Sequence, residues 1–154
     1  METQEIRKAE EGALNDLIKI NNDRIIGYEK AVEATTDDDL KIYFNELGTQ
    51  SKNFKSELES QMNHLGGTVV GGTTLPGKFY HAWMDLKSTF TGKNRHSILE
   101  DCEFGEDAAK KSYQTAINDA DLNWDHKIIA KLEIQLNKIK EVHEKIKNLR
   151  DHSK

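Results

Sequence analysis

The sequence predicts an all-α fold, on three observations. Proline occurs once, at Pro76; long stretches are rich in the helix-favouring residues Ala, Leu, Glu, Lys and Gln; and four long segments repeat inward positions at alternating gaps of four and three. With 154 residues the chain is the size of one domain able to bury a real core, so residues 1–154 are read as a single unit.

The first segment places Leu14, Ile18, Asn21, Ile25, Tyr28 and Val32 on one stripe. The second places Leu40, Phe44, Leu47, Ser51, Phe54, Leu58, Gln61 and Leu65. The third gives Leu99, Cys102, Glu106, Ala109, Tyr113 and Ala116, and the fourth gives Ile129, Leu132, Leu136, Ile139, His143 and Ile146. Glu106 and His143 interrupt stripes that are otherwise mostly apolar.

"TTDDDL" (35–40) and "INDADL" (117–122) each set capping Asp or Asn beside a leucine, so each is expected to join two antiparallel helices by a short turn. Between these hairpins, at about 66–96, lies a Gly-rich connection holding one short amphipathic piece, with Phe79, Trp83, Leu86 and Phe90 at helical spacing. Ser97 and Glu100 form a capping-box pattern where the third helix restarts. Bundle loops usually have about 2–8 residues. A connection of some thirty can instead return the roughly 40 Å length of a 26-residue helix. The expected architecture is therefore a ferritin-like four-helix bundle with a crossover and a short fifth helix. That helix is read as cover on the bundle flank, or alternatively as a dimer contact.

Charge and motif content narrow the function. The net charge of −5, with lysines and acids mixed throughout, offers no basic patch for nucleic acid or anionic membrane. One cysteine, Cys102, rules out an internal disulfide and reads as a small core residue. The opening "METQEIRKAEEGALN" has no apolar run of signal-peptide or membrane-span type, which points to a soluble, cytoplasmic protein. "GGTVVGG" lacks the Lys and Ser of a phosphate cradle, and His64, His81, His96, His126 and His152 show no repeated spacing to acids.

"ILEDCEFGED" (98–107) holds five acids. Glu100, Asp101, Glu103 and Asp107 fall off the stripe, facing solvent or Lys110 and Lys111, and Glu106 alone of the five points inward. Heights counted from the turns put Ile25, Ser51, Glu106 and Gln135 in one middle layer. Glu106 is then satisfied by Ser51, by Gln135 or by water, because a buried charge without partners is costly. In this register Ile25→Ala costs about 2–5 kcal/mol, and Glu106→Gln is tolerated because it sheds a buried charge.

"LNDLI", "DRIIGYEKA", "NHLGG", "AWMDLKS", "ILEDCEFGEDAAKKSY" and "VHEKIKNLRD" together resemble an uncharacterised bacterial family of ferritin-like four-helix-bundle domains. The resemblance implies a crossover bundle with distant kinship to di-iron carboxylate proteins, and supplies no reaction. Such di-iron sites take one Glu from each of two helices and a Glu-x-x-His pair from each of the others. No Glu-x-x-His occurs here, and Ile25 stands where relatives often carry Glu. The sequence thus reads as a non-catalytic, cofactor-free interaction or stress-associated structural protein, expected to form a homodimer and to engage a protein partner. The alternative is an iron- or manganese-binding bundle using Glu106 with Glu29, Glu46 or Glu133.

Overall fold

The computed structural model describes residues 3–72 and 94–153. Pro76, Phe79, Trp83, Leu86 and Phe90, and with them the expected fifth helix, lie outside the described residues. The described residues form four α-helices, α1 (Thr3–Ala34), α2 (Asp38–His64), α3 (Arg95–Asn118) and α4 (His126–Asp151), and no strand. α1 packs against α2 and α3, and α4 packs against α3 and α2, so that α2 and α3 stand on one diagonal of a four-helix bundle.

Helix directions follow from the cross-links. Arg24 on α1 reaches Ser51 on α2 and Glu106 on α3, while four residues later Tyr28 meets Phe44 and six residues later α2 pairs Glu57 with Lys131 of α4. Arg95 at the start of α3 pairs with Asp37 and Asp39 at the start of α2, at 3.0 and 2.9 Å. α2 and α3 therefore run in the same direction. Beyond α2 the chain turns at Gly66, whose φ of 76° is a left-handed conformation that suits glycine. It then climbs back along α1. Arg7 donates to Leu65 O (3.0 Å), Asn15 to Thr68 O (3.2 Å) and Asn22 to Gly72 O (2.7 Å).

The turns correct two details of the sequence reading. α3 is capped by Asn94, whose side chain accepts from Ser97 N at 2.8 Å, so the helix starts two residues before Ser97 and Glu100 reaches toward His96 instead of back to a cap. The second connection, at 119–125, is longer than the short turn expected from "INDADL". Leu122 lies in a loop, and α4 begins only after Asp125 accepts from Lys127 N at 2.7 Å. That loop is tied down by Asn123 N donating to Glu10 (3.0 Å) and Trp124 Nε1 donating to Ala116 O (2.8 Å).

The apolar core forms two cells. One gathers Leu14, Leu17, Ile18, Leu58, Met62, Ile128, Leu132 and Ile139; the other gathers Ala31, Leu40, Phe44, Leu47, Leu99, Cys102 and Ile146. All six stripe positions foreseen on α3 are buried, as are Leu40, Phe44, Leu47, Ser51, Phe54 and Leu58 on α2. On α1 four of the six stripe positions, Leu14, Ile18, Asn21 and Tyr28, are buried as expected, and the buried face extends to one side of the stripe. Leu17, Arg24 and Ala31 are buried, while Ile25 and Val32 are half-buried and Ile25 lines a surface groove with Lys52 and Lys55. On α4 Leu132, Leu136, Ile139 and Ile146 are buried as expected, while Ile128 and Val142 are buried in place of Ile129 and His143, which lie at the edge. Because Ile25 is not central, Ile25→Ala should cost below about 1.5 kcal/mol, whereas Ile18→Ala should cost about 2–5 kcal/mol. Urea unfolding of both variants checks this, and equal losses would contradict the register.

α2 and α4 approach one another least closely of the four neighbouring pairs. Three lysines of α4 spaced by seven line this side. Lys131 pairs with Glu57 at 2.9 Å, Lys138 Nζ sits 6.0 Å from the Phe54 ring centre, and Lys145 Nζ sits 4.2 Å from that of Tyr43. Their aliphatic stems cover surface that closer backbones would otherwise hide.

Candidate functional site: a polar waist with a buried ion pair

Between the two apolar cells lies a waist of buried polar side chains. Its centre is Arg24, fully buried on α1. A guanidinium has five N–H donors and no way to shed its charge, so it must find acceptors in place. Nε and Nη2 donate to Glu106 Oε1 of α3 at 3.1 and 2.8 Å; Nη1 donates to Ser51 Oγ of α2 at 2.6 Å; and Nη2 also donates to Gln50 Oε1 at 3.1 Å. Tyr28, one turn along α1, donates its hydroxyl to the same Glu106 oxygen. The Tyr28 and Phe54 rings stand 5.7 and 5.8 Å from the guanidinium carbon, adding cation–π contacts. Glu106 Oε2 is buried with no hydrogen-bond partner among the described residues.

A second set of bonds lies next to the first. Asn21 Nδ2 donates to Leu17 O and to the Tyr113 hydroxyl, both at 2.9 Å; Tyr113 donates to Gln135 Oε1 at 2.6 Å; and Gln135 Nε2 donates to Phe54 O at 3.3 Å. This chain touches all four helices.

Burial alone would lower the Arg24 pKa, but the charge of Glu106 and its hydrogen bonds outweigh that, and the pKa is held above the ordinary arginine value. Burial pushes the Tyr28, Tyr43 and Tyr113 hydroxyls upward, and for Tyr28 the Glu106 charge adds to it. A tyrosine kept neutral by the fold stabilises it fully below the unfolded pKa of about 10. As pH rises past that value the unfolded chain releases protons that the folded chain retains, so stability falls. Absorbance of tyrosinate should therefore lag in the native protein and appear with unfolding above about pH 10. Native titration of these three tyrosines at the free value would contradict it.

The structure brings Ser51 and Glu106 together but through Arg24, which the sequence reading did not place. Gln135 is buried in the neighbouring set and bonds Tyr113 instead of Glu106. Ile25, expected in this layer, sits outside it. Glu29, Glu46 and Glu133 are exposed on α1, α2 and α4. Among the described residues no group of three or more His, Cys, Asp or Glu could hold a metal ion. Of the outer acids, Asp107 pairs with Lys111 at 2.9 Å as expected, whereas Glu103 engages Arg150 and lies 3.8 Å from His143. The missed partner had a signal: an inward Glu106 demands a counter-charge, and Arg24 lies three residues after Asn21 and four before Tyr28, both on the expected stripe.

The fold and this waist define a class: among the described residues, four helices cross-linked at mid-height, the first three by a buried arginine–glutamate pair and all four by the neighbouring Asn21–Tyr113–Gln135 bonds. The chain belongs to the family described as domain of unknown function (DUF2383), which matches residues 9–119. That span contains α2, α3 and nearly all of α1, and with them Arg24, Tyr28, Ser51 and Glu106; Gln135 on α4 lies beyond it. No curated protein matches the chain.

Proposed function

We propose that this protein is a ferritin-like bundle without catalytic activity, acting in the cytoplasm as an interaction or stress-associated structural protein, with a guanidinium occupying the core position where related bundles would carry metal. The observation carrying this reading is the contact set of Glu106. Its Oε1 accepts from Arg24 twice and from Tyr28 once, so the charge a divalent cation would need is already matched. A divalent ion about 4 Å from the guanidinium would also meet a repulsion of roughly 8 kcal/mol at an effective dielectric of 20. The parallel course of α2 and α3 supports the ferritin-like topology. No helix among the described residues is long and apolar enough to cross a membrane.

The rival reading is iron or manganese binding through Glu106, and the partnerless Oε2 favours it. Metal analysis of protein purified without chelator, with thermal melts in added Mn²⁺ or Fe²⁺, decides between them. The proposal expects stoichiometric metal to be absent and the melts to coincide. A metal-dependent rise in melting temperature that vanishes in Glu106→Gln would overturn it, since a ligand bound to the native state must raise stability.

A further inference from the structure

The polar atoms of the waist do not close among themselves. A guanidinium carries five N–H groups, and Arg24 uses Nε once, Nη2 twice and Nη1 once, which leaves the second Nη1 N–H without an oxygen acceptor among the described residues. The Tyr28 and Phe54 rings lie 5.7 and 5.8 Å from the guanidinium carbon, and a ring face is a weak substitute for an oxygen. Ser51 Oγ accepts from Nη1 and has a proton of its own to place. Acceptors are left over as well: Glu106 Oε2 and Asn21 Oδ1 are buried with no donor among the described residues. All four side chains are fully buried, and an unpaired polar group is costly there, a charged one most of all.

The remainder contains donors and acceptors together, and that identifies what fits. A metal ion takes lone pairs and does nothing for an N–H or an O–H. Water accepts hydrogen bonds and donates them, and buried waters make about three each. Arg24 Nη1 and Ser51 Oγ stand 2.6 Å apart, close enough for one water oxygen to accept from both. Asn21 lies one turn before Arg24 on α1, and Glu106 is bonded to Arg24, so the leftover acceptors belong to the same neighbourhood. Gln50, which accepts from Arg24 Nη2 at 3.1 Å, is only half-buried, so the network reaches the surface of α2.

We propose that the waist is a binding site for internal water: one or two molecules that accept from Arg24 Nη1 and Ser51 Oγ and donate to Asn21 Oδ1 and Glu106 Oε2, entering past Gln50. The inference rests on the metal-free reading of Glu106, because it gives Oε2 a hydrogen-bond donor in place of a cation. It also separates the two oxygens of that carboxylate by role: Oε1 joins the helices, and Oε2 holds solvent.

Oxygen-17 relaxation dispersion of the solvent counts waters held for longer than the protein takes to tumble. It is applied to wild type, to the full chain carrying Arg24→Met and Glu106→Leu together, and to Asn21→Leu, with metal content measured on the same samples. The expected result is that metal-free wild type holds at least one more long-lived water than the doubly substituted chain, which lacks both the guanidinium and the carboxylate. Wild type with no long-lived water would overturn the proposal, and so would an equal count in the folded doubly substituted chain. If that chain does not fold, Asn21→Leu, which removes one leftover acceptor, supplies the comparison on the same terms. If neither variant folds, cross-relaxation between water and the Arg24 guanidinium protons of wild type decides: its presence supports the site and its absence overturns it. Stoichiometric metal in wild type would defeat the metal-free reading and the proposal with it, whereas metal-free protein lacking the long-lived water defeats the proposal alone.

Discussion

Replacing Arg24 by Met should cost about 3–5 kcal/mol of stability, because it strands the Glu106 carboxylate in a core with no opposing charge. For a chain of this size each kcal/mol lowers the melting temperature by about 2–4 °C, so the fall should be about 6–20 °C. Glu106→Gln should cost a similar amount. On the sequence alone that change looked harmless, since it removes a buried charge; with Arg24 present it leaves a guanidinium unneutralised. The doubly substituted Arg24→Met/Glu106→Leu chain should lose much less than its two single changes together, because both charges leave at once and buried ion pairs are often matched by apolar side chains of similar volume. Urea unfolding of the four proteins forms the cycle. Additive losses, or a single loss below about 1 kcal/mol, would mean that Arg24 and Glu106 do not act as a pair.

Phe44→Ala is expected to cost about 3–5 kcal/mol. The ring is fully buried in the second apolar cell, 5.7 Å from that of Tyr28, so its removal leaves a cavity beside the tyrosine that holds Glu106. Two residues earlier Ile42 is 63% exposed, and Ile42→Ala should fall within about 0.5 kcal/mol of wild type. Comparable losses at the two sites would contradict the orientation of α2.

The readability of the sequence varied with how each helix meets its neighbours. On α3 the inward face alternates apolar or small residues with acids and lysines, and one stripe fits. On α1 the apolar Ile25 stands beside the charged Arg24, and a rule that sends charges outward selects the wrong neighbour at that turn, one residue or about 100° off, although Leu14, Ile18, Asn21 and Tyr28 on the same stripe are buried. Glu106 was placed correctly because both its flanks, Cys102 and Ala109, are unambiguous. Its partner was not, because a buried arginine is explained only by the carboxylate it meets on another helix, and that meeting is a tertiary fact. On α4 the same single-residue shift exchanged Val142 for His143, since an inward face wider than 100° leaves its edge positions half-covered. Asn94 and Asp125 were missed as caps because other capping residues lie within a turn of them.

The division of the core into two cells bears on axial alignment. A bundle held by apolar stripes alone can slide one helix past another by two turns and still match leucine to leucine, because the stripe repeats every seven residues. Here such a slip of α1 against α3 would carry a permanent positive charge among Leu and Phe side chains and leave a carboxylate behind, at the cost of two uncompensated buried ions. The Arg24–Glu106 pair therefore works as a dowel: it adds little holding strength over an apolar substitute, but it admits one axial position. A chain with Met and Leu at these two sites, however stable, would keep only the weaker index mark of the Asn21–Tyr113–Gln135 bonds.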